Sequence, residues 1–353
     1  MLSQLFRNSS QSVWVLADTR AGTANQALGV AEALGMPFQV ISLKKKTFYE
    51  SFASIAPSIS SHLLPTSHTM TLRPPWPHII IAAGRRAALV ARWIRISALK
   101  TSLSTPFLVQ IMFPGWQRLA DFNLVAIPNH DRLLQTPDNV LHITGAPHRL
   151  TPRRLLKAAE QWKNRFYSLP KPRIVCLVGG ASGRWRPLTA DIARTLAKQT
   201  ANLATIHGGS VLVTTSRRTG RAATAALFSE LTDAGVPLFI HYWRESAENP
   251  YTALLALADS VVVTGDSVSM CTEACAQPGP VFIFSPPGWA KAKHARLHAE
   301  LFSLGYARPL PYGDERIFSY WRHPPLNPAR TVAAQIRMRW DFACLKSINR
   351  EKE

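Results

Sequence analysis

Residues Val13 to Gly35 read VWVLADTRAGTANQALGVAEALG, a strand, a polar turn and a helix in that order. Val13–Asp18 is apolar without alternation until its last residue, which suits a strand buried on both faces. Asn25–Leu34 is rich in alanine and leucine with helical spacing, which suits a crossover connection. The same cadence returns along the chain. Strands are expected at Phe38–Leu43, His78–Ala83, Phe107–Met112, Asn123–Ile127 and Val140–Ile143. A second series is expected at Arg173–Val178, Val211–Thr215, Leu238–Tyr242, Ser260–Val263 and Val281–Phe284. Helices fill the gaps, as at Arg85–Ile96. Strand–helix alternation predicts parallel sheets with helices on both faces, hence an α/β fold of two Rossmann-like domains.

The expected division places an N-terminal domain at 1–150 and a linking helix at 151–172. A C-terminal domain follows at 173–317, and a helical tail at 318–353. The linker carries a basic amphipathic helix bracketed by prolines, in PHRLTPRRLLKAAEQWKNRFYSLPKP from Pro147 to Pro172. The tail, helical over Pro328–Lys346, is expected to pack back on the first domain. Two open parallel sheets joined in this way are expected to face each other across a cleft, with ligands beyond the carboxyl ends of the strands.

Composition removes several classes. The chain has 353 residues, 46% of them hydrophobic, too apolar for a disordered protein. Four cysteines (Cys176, Cys271, Cys275, Cys344) are no disulfide framework and read as reduced, buried thiols. No second Cys or His pair complements Cys271 and Cys275, so no metal site is expected. No apolar run reaches 18 residues and no signal peptide is visible, which predicts a cytoplasmic protein without a transmembrane helix. Net charge is +20 and spread along the chain, with 14 basic against 6 acidic residues in 1–150. Such a surface attracts polyanions. Nucleic acid is the weakest of these partners, because no helix-turn-helix, zinc-finger or RNA-binding motif is present.

Four strand-end loops are dense in functional side chains. In the first, Asp18 ends a strand where a general base can sit. Gly22 permits a tight turn, Thr23 or Asn25 can cap the following helix, and Gln26 follows. Free amides at that helix start make an anion site. In the second, Gly179, Gly180, Ser182 and Gly183 allow backbone amides to approach a phosphate, with Arg184 and Arg186 nearby. It is not a Walker A loop, which needs a terminal G-K-[ST]. In the third, Ser216, Arg217 and Arg218 can pair with a pyrophosphate. In the fourth, TGDSVSMCTEA from Thr264, Ser267 or Ser269 can cap a helix that carries Glu273 one turn in, where a carboxylate can hold two ribose hydroxyls. His130, in Asn129-His130-Asp131, is a further acid/base candidate, although a lone loop histidine is more often just solvated. Phe113-Pro114-Gly115-Trp116 reads as a lid or as packing.

These loops together resemble the mitochondrial fission (elongated-mitochondria) family of plants and bacteria. The resemblance rests on WVLADTRAGTANQALGVAEALG, IPNHD, ITGAPHRL, VGGASGRWR, TTSRRTG and TGDSVSMCTEA, and spans about residues 13 to 310. It implies the GT-B glycosyltransferase-like fold. It further implies a donor site for a nucleotide-diphospho-sugar, used as co-substrate with no other cofactor, at Gly180, Ser182, Ser216, Arg217, Ser267, Ser269 and Glu273. The loop around Asp18 would meet a lipid or glycan acceptor. A nicotinamide-dependent epimerase does not fit: the dinucleotide fingerprint is absent, and Pro170 breaks the Tyr167–Lys171 spacing. Two functions stay open. One is a metal-independent glycosyltransferase, the other a non-catalytic adaptor peripheral to a membrane. Lys44-Lys45-Lys46 beside the uncharged Ser51–Pro65 stretch suits docking on anionic lipid in either case.

Overall fold

The computed structural model describes residues 13–43, 72–101, 105–133, 136–181, 186–244, 248–311 and 321–350. The Lys44–Lys46 cluster, the 51–65 stretch, Ser182, Gly183 and Arg184 lie outside them. The chain forms two compact units, Met1–Arg149 with Asn327–Glu353, and Leu150–Leu326.

The first unit is a six-stranded, wholly parallel sheet. Its strands are β1 (Val13–Asp18), β2 (Phe38–Leu43), β3 (Ile79–Ala83), β4 (Phe107–Ile111), β5 (Leu124–Pro128) and β6 (Val140–Ile143), in spatial order β2-β1-β3-β4-β5-β6. β1 and β3 to β5 are buried along their whole length, whereas the edge strand β2 buries only Ile41 and Leu43. Helix α1 (Ala21–Leu34) covers one face and α2 (Gly84–Lys100) the other. The C-terminal helix α9 (Pro328–Arg350) lies on α1, where Val332 and Ile336 join Ala27, Val30 and Leu34 in one apolar cluster. Arg337 donates to the Leu34 carbonyl at 2.5 Å, meeting a carbonyl that the end of α1 leaves without a helical partner.

The second unit holds β7 (Arg173–Val178), β8 (Ser210–Thr215), β9 (Leu238–His241), β10 (Ser260–Thr264), β11 (Val281–Phe284) and the two-residue β12 (Arg308–Pro309). They are parallel, in order β12-β11-β10-β7-β8-β9. Its helices are α3 (Pro152–Trp162), α4 (Ala190–Ile206), α5 (Arg221–Asp233), α6 (Tyr251–Leu257), α7 (Val268–Ala274) and α8 (Ala292–Ser303). The segment expected as a linker belongs to this unit. Trp162 and Phe166 are buried in its core, Phe166 edge-on to Phe239 at 4.8 Å, so α3 is a packed element and not a tether. Residues 321–326 also belong here, and the chain passes to the first unit at Asn327.

In each sheet the strand order reverses beside the first strand, between β1 and β3 and again between β7 and β10. Loops leaving such neighbours diverge to opposite faces and open a crevice at the carboxyl ends. Ile336 is fully buried against α1. Ile336→Ala is expected to destabilise the first unit by about 2–4 kcal/mol. The readout is amide hydrogen exchange, accelerated in α1 and β1 and unchanged in β7 and β8.

Candidate functional site

The β7/β10 switch point is organised by a carboxylate that the sequence reading passed over. Asp266 follows β10 by two residues and its side chain has no solvent exposure. It accepts from the Thr264 hydroxyl (2.7 Å) and the Gly180 amide (2.9 Å) and pairs with Arg218 Nη2 (2.9 Å). The Gly179 amide donates to Thr264 Oγ1 (2.7 Å). One carboxylate thus joins the loops that leave β7, β8 and β10. A buried charge needs this set of partners, since desolvation is otherwise costly.

This corrects the role expected of the glycines. The Gly179 and Gly180 amides are spent inside the protein and do not await a phosphate. A Cβ on Gly179 would fall on the Asp266 carboxylate, and one on Gly180 on the Arg218 carbonyl. Glycine is required here for close approach by the chain's own groups.

Around this junction the β8 loop is held in place. Ser216 Oγ donates to the Gly179 carbonyl (2.9 Å), and Thr219, buried, donates to the same carbonyl (2.5 Å). Arg217 and Arg218 are exposed at its tip, and Arg218 also donates to the Ala181 carbonyl (3.3 Å). Ser267 caps α7 by accepting the Met270 amide (3.4 Å), while Ser269 lies inside the helix and caps nothing. On α8, His298 Nε2 donates to the Gly265 carbonyl (2.9 Å), and burial pulls its pKa down to about 4. His294 sits one turn earlier. Burial and the Lys291, Lys293 and Arg218 charges hold its pKa down against the opposing pull of Asp266.

Glu273 occupies the second turn of α7 and accepts from the Tyr251 hydroxyl at 2.7 Å. The residue keeps some surface, but its carboxyl is enclosed, and burial raises the pKa to about 6 against the lowering effect of the Tyr251 bond. Tyr251 lies 22 residues upstream and has no local sequence signal linking it to Glu273. Cys176, Cys271 and Cys275 are free and buried, and burial raises all three thiols, Cys176 to about 12. Among the described residues no group of three His, Cys, Asp or Glu side chains is placed to hold a metal.

In the first unit, Asp18 is 8% exposed at the end of β1. Its Oδ1 accepts from the Arg20 amide (3.3 Å) and the Thr19 hydroxyl (3.2 Å) and faces Arg86 Nη1 at 3.8 Å. The pair spans the β1/β3 switch point. The expected capping by Thr23 or Asn25 is not found. Helix α1 starts at Ala21 with Arg20 as N-cap residue, and the Thr23 and Ala24 amides donate to the Arg20 carbonyl (2.9 and 3.0 Å). Gly22, Thr23, Asn25 and Gln26 are therefore helical residues, and Gly22 makes no tight turn. His130 is not a solvated loop residue: it sits in a one-turn 3-10 segment after β5 and is 2% exposed.

Two open parallel sheets with loaded switch points are the units of the GT-B fold. A UDP-GlcNAc 2-epimerase from Methanocaldococcus jannaschii shares that fold, with a TM-score of 0.56 and 13% identity over 93% of this chain and 99% of that one. The family model described as Mitochondrial fission ELM1 matches residues 21–340, and the chain belongs to that family. A protein named Mitochondrial fission protein ELM1 from Arabidopsis thaliana is 34% identical over 283 residues, 74% of this chain. The chain spans 63% of that relative's length. An uncharacterized protein of Rickettsia prowazekii is 25% identical over 92% of this chain and 98% of its own.

The raised pKa of Glu273 has a measurable sign. The folded state holds this proton more tightly than the unfolded chain, so stability falls as pH rises from about 4.5 to about 6. A shift of this size corresponds to about 2 kcal/mol. Glu273→Gln keeps an acceptor for Tyr251 and removes the titration. Urea unfolding between pH 4.5 and 7 is expected to show the wild type losing stability relative to this variant, with a plateau above pH 7.

Proposed function

We propose that the second unit binds the nucleoside diphosphate of a nucleotide sugar and that the chain is a metal-independent glycosyltransferase. The observation that carries the reading is that one parallel sheet carries, beyond the carboxyl ends of its strands, an exposed arginine pair, Arg217 and Arg218, after β8 and the Glu273 carboxyl after β10. Arginine forks match a diphosphate, and a carboxylate matches paired ribose hydroxyls. With Gly179 and Gly180 engaged by Asp266 and Thr264, the diphosphate falls to Arg217, Arg218, Ser216, Ser267 and Ser269. Transfer joins the acceptor oxygen to the anomeric carbon and breaks the bond to the diphosphate. The leaving diphosphate gains negative charge, which the arginines stabilise. The acceptor proton passes to a base. Asp18, which ends β1 beside a switch point, and His130, which follows β5, are the candidates, and both are buried. The solved epimerase named for UDP-GlcNAc supports a nucleotide sugar as the ligand class only through its shared fold.

A second reading, a non-catalytic adaptor at a membrane surface, draws on the family itself, whose Arabidopsis member is named for mitochondrial fission. Among the described residues no helix is long and apolar enough to cross a membrane. Ligand binding separates the two. Thermal shift against UDP, GDP, ADP, CMP and their sugar conjugates at moderate salt is expected to show stabilisation by one base. Glu273→Ala, still folded by circular dichroism, is expected to abolish it. A folded wild type that responds to none of them favours the adaptor.

A further inference from the structure

The two oxygens of the Glu273 carboxyl are not equivalent. Oε2 accepts from the Tyr251 hydroxyl at 2.7 Å, a length typical of charge-assisted O–H···O⁻ bonds. Oε1 accepts from no described residue and is not sealed from solvent. Tyr251 arrives from a different element. It is the first residue of α6, whose start is fixed by Asn249 Oδ1 accepting the Tyr251 amide (3.0 Å) and by the Pro250 carbonyl accepting the Leu254 amide (2.8 Å). Ala253, Leu254 and Leu255 of α6 share one apolar cluster with Cys271 and Ala274 of α7. Both ends of the bond therefore stand on packed backbone.

The bond acts on the glutamate in two ways. A glutamate side chain on a helix has several rotamers, and a ligand that fixes it must overcome that entropy. A carboxylate already held by Tyr251 has lost that freedom before a ligand arrives. The second effect is on charge. Burial raises the Glu273 pKa, and the Tyr251 hydroxyl opposes the rise. The titratable groups acting on the pair are Tyr251 on α6 and Cys271 on α7. Tyr251 stays a donor, because burial, Glu273 and Cys271 all raise its own pKa. The Cys271 thiol stays protonated, raised by burial and by Asp266 and Cys275.

We propose that Tyr251 is a positioning residue for ligand recognition: by taking Oε2 it turns Oε1 of Glu273 toward the ligand as the acceptor for a ribose hydroxyl. Tyr251 itself touches no ligand and acts through Glu273. The inference rests on the proposed function for the identity of the ligand. The control of the Glu273 carboxyl by Tyr251 does not depend on it.

The test uses the full chain and Tyr251→Phe, which keeps the ring and removes only the hydroxyl. Carbon-13 NMR of the glutamate carboxyls, with Glu273 assigned through Glu273→Gln, follows the titration without any ligand. The wild-type midpoint is expected at about 6, and that of Tyr251→Phe higher by at least about half a pH unit. Calorimetric titration with UDP, GDP, ADP and inorganic pyrophosphate then reads recognition at about pH 8, where Glu273 is ionised in both proteins. Affinity for the nucleotide that binds the wild type is expected to fall about three- to tenfold in the variant, while pyrophosphate, which has no ribose, binds as before. A purely structural loosening of α7 would lower both, because Ser267 caps that helix and Ser269 lies in it. An unchanged midpoint, an unchanged nucleotide affinity, or an equal loss for nucleotide and pyrophosphate overturns the inference. A wild type that binds none of the nucleotides overturns the proposed function and with it the ribose as ligand, and a raised midpoint in the variant still upholds the control of Glu273 by Tyr251.

Discussion

A carboxylate without solvent contact sits where three loops leave the second sheet, and the arrangement of those loops depends on it. Asp266 accepts from Gly180 and Thr264 and is paired by Arg218. Each partner belongs to a different strand end, β7, β10 and β8. Without the charge, the Gly180 amide and the Thr264 hydroxyl lose a buried acceptor, and the Arg218 head loses its anchor. Arg218 is nearly half exposed, so one end of the junction is internal and the other meets solvent. The buried end fixes geometry, and the arginine pair lies at the solvent end.

The first sheet solves the same topological problem differently. Asp18 and Arg86 also bridge a switch point, at a longer 3.8 Å, and Asp18 takes its closest hydrogen bonds from its own loop. The helix starts beside it stay uncapped. In both units a carboxylate takes an amide of its switch-point loops, Asp266 that of Gly180 and Asp18 that of Arg20.

Much of this was legible in the chain. Central strands announce themselves because burial on both faces leaves uninterrupted apolar runs, such as Ile79-Ile80-Ile81 and Val261-Val262-Val263. The two-residue β12 has no such run. Thr23 and Asn25 look like caps by residue type, but the Arg20 carbonyl collects the amides first, and the helix starts two residues before Thr23. A glycine-rich loop reads alike whether a ligand or the chain's own side chain approaches it, and only the placement of Asp266 distinguishes the two. A signal for Asp266 existed, since it is an acidic residue just past a buried strand, as Asp18 is at the end of one. The basic, proline-bracketed α3 suggested a tether. Trp162 and Phe166, four residues apart, were the sign of a packed face.

Amide hydrogen exchange at Gly179 and Gly180 tests the organising role of Asp266 most directly, in the wild type and in Asp266→Ala. If the carboxylate fixes the loop, both amides exchange as slowly in the wild type as the interior of β7, and Gly180 loses its protection in the variant while β1 and β3 keep theirs. Fast exchange of these two amides in the wild type, at the rate of an open glycine loop, would contradict the account.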